Sequence, residues 1–143
     1  MSTHSADDLL ASARSQIDRV EPHELEGLRS GGALFVDIRP ERQRAAEGEL
    51  GFGIVVERNV LEWRFDLLGS HALPELEGYD QPVVVVCSEG YASSLAAASL
   101  RQLGFNRAAD LAGGYRAWRA WLGEDVLPAP APPVTSGPAA ARR

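Results

Sequence analysis

Cys87 is the only cysteine in the chain, and it ends the unbroken run Val83-Val84-Val85-Val86, just ahead of Ser88-Glu89-Gly90-Tyr91-Ala92-Ser93-Ser94. An ionised thiol is a strong nucleophile, but an ordinary thiol is only a few per cent ionised at pH 7. Hydrogen-bond donors aimed at the sulfur favour the anion. Here the backbone is the natural source of them. Ser88, Glu89, Gly90, Tyr91, Ala92 and Ser93 make a short loop in which Gly90 can take the positive φ of a tight turn. The N–H groups of such a loop, with those of a following helix's first turn, converge on an anion. The chemistry implied is nucleophilic attack by Cys87, with negative charge held by the backbone of residues 88–93. A free cysteine at a strand end can also be a small buried hydrophobe, and at this point both readings of Cys87 stand.

The elements that position this thiol are legible around it. Four β-branched residues bounded by Pro82 and a glycine-containing loop predict a strand buried on both faces, as in a parallel sheet. Ala96, Leu100 and Leu103 then recur at helical spacing, and Gly104 is placed to end the helix. In α/β sheets ligands bind at strand carboxyl ends, which is where Cys87 falls. Further along, Arg107 to Leu111 reads as a short strand, and Gly113-Gly114 turns into a helix carrying Tyr115, Trp118, Trp121 and Leu122, whose aromatics read as core packing rather than a binding box. Upstream, Ser5 to Ile17 predicts a capped helix. A second helix starts at Glu21-Pro22 and stops before Gly31-Gly32. Ala33 to Ile38 is a strand, Pro40 to Glu47 a helix whose charges read as a solvated face, and Ile54-Val55-Val56 a short strand or extended segment.

Asp37 and Arg39 close the Ala33 to Ile38 strand on alternate positions that share one face. Two readings stand for them: a border of the active-site mouth, or, the favoured one, structural roles in which the carboxylate caps the next helix and the arginine pairs with a neighbouring acid. His23 and His71 have nothing local to place them beside Cys87, so a cysteine–histidine pair is not predicted. Three histidines and one cysteine without ligand spacing predict no metal site.

Composition narrows the class. A chain of 143 residues, 45% apolar with a formal net charge of −6, is expected to be a soluble acidic globule. That balance argues against nucleic acid as the main partner. No apolar stretch reaches membrane-spanning length and Met1 to Asp8 lacks a signal-peptide pattern, so no membrane association is expected and the location expected is cytoplasmic. A lone cysteine agrees with a reducing compartment.

Taken together, Leu34-Phe35-Val36-Asp37-Ile38-Arg39, the cysteine loop with its helix, and Leu111-Ala112-Gly113-Gly114-Tyr115-Arg116-Ala117-Trp118 resemble a single rhodanese-like domain, in the right order and across about Val20 to Leu122. Gly48-Glu49-Leu50-Gly51-Phe52-Gly53 stands where that family usually has Gly-His-Ile-Pro-Gly-Ala. The resemblance implies an α/β fold with a central, mostly parallel five-stranded sheet flanked by helices on both faces. The chain then divides into an accessory helix at 1–18, the rhodanese-like domain at 19–126 and a disordered Pro/Ala-rich tail at 127–143.

The resemblance also implies sulfur transfer through a Cys87 persulfide, from thiosulfate or a persulfide donor to cyanide, a thiol or an acceptor protein, with no cofactor. The alternative is a non-catalytic interaction or persulfide- and redox-sensing domain. Many loops of this family end in arginine or another polar residue where this chain has Ala92, so a cation for an anionic donor has to come from elsewhere. Arg58, in a charge-dense segment around Trp63, is the candidate, beside a plainer reading in which Trp63 is a core or rim residue and Arg58 and Arg64 are surface partners of Glu57 and Glu62. Glu89 is expected to repel a dianion and to favour a neutral persulfide. The phosphatase relatives of this fold need a longer loop ending in arginine. Here no arginine follows until Arg101, so phosphatase chemistry is not expected.

Overall fold

A computed structural model describes residues 3–124, so the tail expected at 127–143 lies outside the described residues. Five strands, β1 (Asp18–Val20), β2 (Leu34–Asp37), β3 (Ile54–Val55), β4 (Val83–Val86) and β5 (Ala108–Leu111), form one sheet. Its order is β1-β5-β4-β2-β3 and every pairing is parallel. The helices are α1 (Ala6–Arg14), α2 (Leu25–Ser30), α3 (Glu41–Glu47), α4 (Leu61–Arg64), α5 (Ala92–Leu103) and α6 (Gly114–Trp121). No helix among the described residues is long and apolar enough to cross a membrane.

The valine run is the middle of this sheet. β4 pairs with β2 from Leu34↔Val83 to Asp37↔Val86 and with β5 from Val83↔Ala108 to Val85↔Asp110. Successive side chains of a strand point to opposite faces, and the two cores divide accordingly. Val83 and Val85 pack with Ala13, Ile17, Phe65, Leu100 and Phe105 on the face covered by α1, α4 and α5. Val84 and Val86 pack with Leu25, Phe35, Leu111, Tyr115 and Trp118 on the face covered by α2 and α6. Burying one such side chain is worth about 1.5–3 kcal/mol, so β4 anchors both layers. Ser5 and Asp8 form the reciprocal capping box that starts α1, and Gly104, at φ 115°, ends α5 in the left-handed conformation.

Three features differ from the sequence expectation. β1 was not foreseen: three residues are too few to show a period, and α1 stops at Arg14, short of Ile17, to leave room for it. The charges of α3 are not all a solvated face, because Glu47 is buried. Trp121 is 62% exposed and Leu122 is exposed as well, while Tyr115 and Trp118 are core. At 100° per residue Trp121 is turned roughly 120° around α6 from Tyr115, which takes it off the buried stripe.

Candidate active site

The loop after β4 folds around its own cysteine. The N–H of Gly90 donates to Cys87 Sγ at 3.1 Å and the N–H of Ser93 donates at 3.3 Å. Gly90 reaches this position with φ 88°, a conformation that side chains with a Cβ rarely adopt. Ser93 lies in the first turn of α5, so its N–H has no partner within the helix and is available to the sulfur. Cys87 is 7% exposed. Two N–H groups thus converge on the sulfur at a strand's carboxyl end, the placement of preorganised donors for an anion.

The turn into α6 holds the loop from the other side. Tyr115 N–H donates to Cys87 O at 2.8 Å and Arg116 N–H donates to Ser88 O at 3.1 Å. This approach is close enough that a Cβ on Gly114 would lie 2.5 Å from Cys87 O, and one on Gly90 would lie 2.7 Å from Gly113 N. The adjacent glycines therefore let two backbone segments touch where side chains would separate them.

Beneath the loop sits Asp110 of β5, fully buried. Its carboxylate accepts from Ser93 Oγ at 2.7 Å, Ser94 Oγ at 2.8 Å, Arg19 Nε at 2.9 Å and Arg19 Nη2 at 3.1 Å. A buried charge is tolerable only when paired and hydrogen-bonded, and these four bonds tie β5 to β1 and to the start of α5. Asp110→Asn places an NH2 group opposite donors, so a loss of about 1–3 kcal/mol is expected. Thermal melts of the two proteins measure it, and equal midpoints would contradict it.

Asp37 and Arg39 are both 1% exposed, so they do not border an open mouth. Arg39 Nη2 donates to Asp37 at 2.7 Å and Nη1 to Glu47 at 3.1 Å, and the guanidinium carbon stands 4.0 Å from the Tyr115 ring centroid. Burial opposes the charge on Arg39, yet hydrogen bonds and attraction from Asp37 and Glu47 outweigh it and push the guanidinium above its ordinary pKa. This cluster touches the loop indirectly. Ser88 Oγ lies 2.9 Å from Glu47 Oε1 and 2.7 Å from Gln43 Oε1, and its single proton can serve one of them at a time.

Arg58 is not brought to Cys87. Its Nη1 pairs with Glu62 at 2.9 Å and its Nη2 reaches Ser99 Oγ at 3.5 Å, about two turns along α5 from the loop. Glu89 is exposed at the loop's rim, with its carboxylate 2.7 Å from Arg116 Nη1. Tyr91 and Ala92 open on a cleft of about 420 Å3 that they line with Ala6, Asp7, Leu10 and Leu95. That lining is mostly apolar, and Asp7 is its one charge. His23 and His71 are exposed. Among the described residues no cluster of three or more metal-ligating side chains occurs.

Sequence reasoning missed the loop's supports: Arg14, Arg19, Asp110, Glu47 and Gln43. For Asp110 a signal was present, since a carboxylate inside an otherwise apolar strand must find donors. For Arg14 and Arg19 there was none, because only the fold brings α1 and β1 beneath the loop.

A family model for the rhodanese-like domain matches residues 21–120. The thiosulfate sulfurtransferase GlpE of Ectopseudomonas mendocina is 35% identical over 106 residues, 74% of this chain and 88% of the relative. That of Pseudomonas aeruginosa is 34% identical over 101 residues, 71% of this chain and 83% of the relative. Among solved structures, a protein of unknown function from Rhodopseudomonas palustris, described as a possible tyrosine phosphatase, matches with a TM-score of 0.77 at 27% identity, covering 89% of this chain and 97% of that one. A human single-domain sulfurtransferase matches with a TM-score of 0.57 at 28% identity, covering 71% of this chain and 95% of that one. By its parallel sheet, the place of its thiol and a match from residue 21 to residue 120, this chain belongs to the rhodanese-like domain family.

Proposed function

We propose that this protein is a sulfurtransferase that carries a sulfane sulfur on Cys87. The observation that supports it most is the pair of N–H groups, Gly90 and Ser93, aimed at Cys87 Sγ, in a chain whose relatives are named thiosulfate sulfurtransferases. In the first half-reaction the Cys87 thiolate attacks the outer sulfur of thiosulfate. A new S–S bond forms, the old one breaks, and its electron pair leaves with sulfite. With a persulfide donor a thiolate leaves instead. In the second half-reaction cyanide, a thiol or a protein thiol attacks the terminal sulfur, and the S–S bond electrons return to Cys87 as thiolate. The negative charge stays within reach of the same N–H groups throughout, so their stabilisation needs little reorganisation.

Two features bear on the donor. The loop ends in Ala92 beside the apolar cleft, and Arg116 at the rim is engaged with Glu89. With Glu89 on the loop and no cation at position 92, a neutral persulfide suits the loop better than a dianion does. Phosphatase chemistry has no support in this loop. Position 92 carries no guanidinium for phosphoryl oxygens, and Arg101 is committed to Ala108 O at 2.9 Å and to Asp18 at 3.3 Å.

Thiocyanate release from thiosulfate and cyanide, or from a persulfide and cyanide, tests the reading. Wild-type protein is expected to turn over and Cys87→Ser to fall to background; turnover surviving in Cys87→Ser would refute a Cys87 persulfide.

A further inference from the structure

Two arginines that precede the family-matched residues 21–120 meet on one carbonyl of the cysteine loop. Arg14, in the last turn of α1, donates through Nη2 to Gly90 O at 2.8 Å and through Nε to Ser94 Oγ at 3.0 Å. Arg19, in β1, donates through Nη2 to the same Gly90 O at 2.9 Å while its Nε holds Asp110. A carbonyl oxygen offers two lone pairs, and two charged donors at these distances engage both. Bonds to a charged donor are about twice as strong as neutral ones.

We propose that Arg14 and Arg19 are positioning residues, a clamp that locks the Gly90–Tyr91 peptide so that its carbonyl stays turned to the arginines and away from the sulfur of Cys87, which the N–H groups of Gly90 and Ser93 hold. Gly90 carries the N–H that bonds the sulfur and, one bond pair away, the carbonyl that the arginines hold. Glycine at φ 88° has no Cβ to resist rotation of the next peptide plane. In a planar trans peptide the C=O and the following N–H point in opposite directions, so a flip exchanges them. Untethered, the Gly90 carbonyl can swing its partial negative charge into the loop and repel the thiolate and the persulfide; tethered to two guanidiniums, it cannot.

Charge balance at Asp110 does not account for Arg14. Its two hydrogen bonds go to the loop and to α5, whereas Arg19 alone pairs with that carboxylate. α1 is therefore part of the working site. Its Ala13 sits in the core, and its terminal arginine reaches from that anchor to the loop. The activity consequence rests on the sulfur-transfer reading; the effect on the thiol does not.

The test uses the full chain as wild type, Arg14→Ala and Arg14→Lys, with thermal melts to report folding. The first readout is the rate of Cys87 alkylation by iodoacetamide without any sulfur donor. The second is kcat and KM for sulfur transfer. Arg14→Ala is expected to slow alkylation and lower kcat by about tenfold with a smaller change in KM, and added guanidinium ion is expected to restore part of both. Alkylation and kcat within about twofold of wild type, in a folded variant, would overturn the clamp. Should Arg14→Ala not fold, Arg14→Lys decides: it keeps the stem and one donor, and a partial loss is expected where unchanged rates would overturn the proposal. A wild type that alkylates normally but transfers no sulfur from any donor would remove the sulfurtransferase reading while leaving the alkylation comparison to judge the clamp.

Discussion

Arg39→Ala is expected to cost about 3–5 kcal/mol of folding stability, because it leaves two carboxylates buried without their cation. Asp37 is 1% exposed and Glu47 8%, and Arg39 is the guanidinium that faces both, at 2.7 and 3.1 Å. The same substitution empties the space against the Tyr115 ring, where the guanidinium now stacks at 4.0 Å. A small domain's total stability is typically about 5–15 kcal/mol, so the loss is a large part of the whole. Denaturant titration measures it. A midpoint close to wild type would show that water or a neighbouring cation reaches these carboxylates. Arg39→Lys is not expected to restore the wild-type value, since one ammonium cannot match the planar fork that bonds Asp37 and Glu47 together.

Gly90→Ala is expected to lower sulfur transfer by about 10²–10³, the usual cost of losing one donor to a developing or resident anion. A Cβ at residue 90 would lie 2.7 Å from Gly113 N and 3.2 Å from Gly113 Cα, both backbone atoms that no side-chain rotation can clear. The φ of 88° adds strain of about 1–3 kcal/mol for a residue with a Cβ. The loop must shift, and the N–H that bonds Cys87 Sγ shifts with it. The drop is expected in kcat, measured on protein that a melting curve shows to be folded at the assay temperature, with a midpoint several degrees or more below wild type from the strain. Full activity would mean that the Gly90 N–H does not hold the reacting sulfur.

What could be read in advance was what local chemistry writes into the chain. Val83 to Val86 announced a strand buried on both sides, and both faces of β4 are core. The strand-loop-helix passage placed Cys87 at a carboxyl end, and the sulfur there accepts two backbone N–H groups. Pairings between distant segments were not legible. Arg14 meets Gly90 across 76 positions and Arg19 meets Asp110 across 91, and neither partner carries a periodic signal for the other. Arg58 shows the same limit from the other side. A charge-dense segment states that cations are present, but the fold turns that one toward Glu62 and Ser99. Glu47 reads in the sequence as any charged residue of a polar helix, and only the fold sets Arg39 and Ser88 against it.

The most direct measurement is intact-protein mass after a single addition of thiosulfate, repeated with a persulfide donor, for wild type and Cys87→Ser. A gain of one sulfur atom is expected on wild type alone, removed by cyanide with release of one equivalent of thiocyanate. No sulfur gained from either donor, or the same gain on Cys87→Ser, would contradict sulfur transfer through Cys87 and would turn the interpretation toward a domain that binds or senses without turnover.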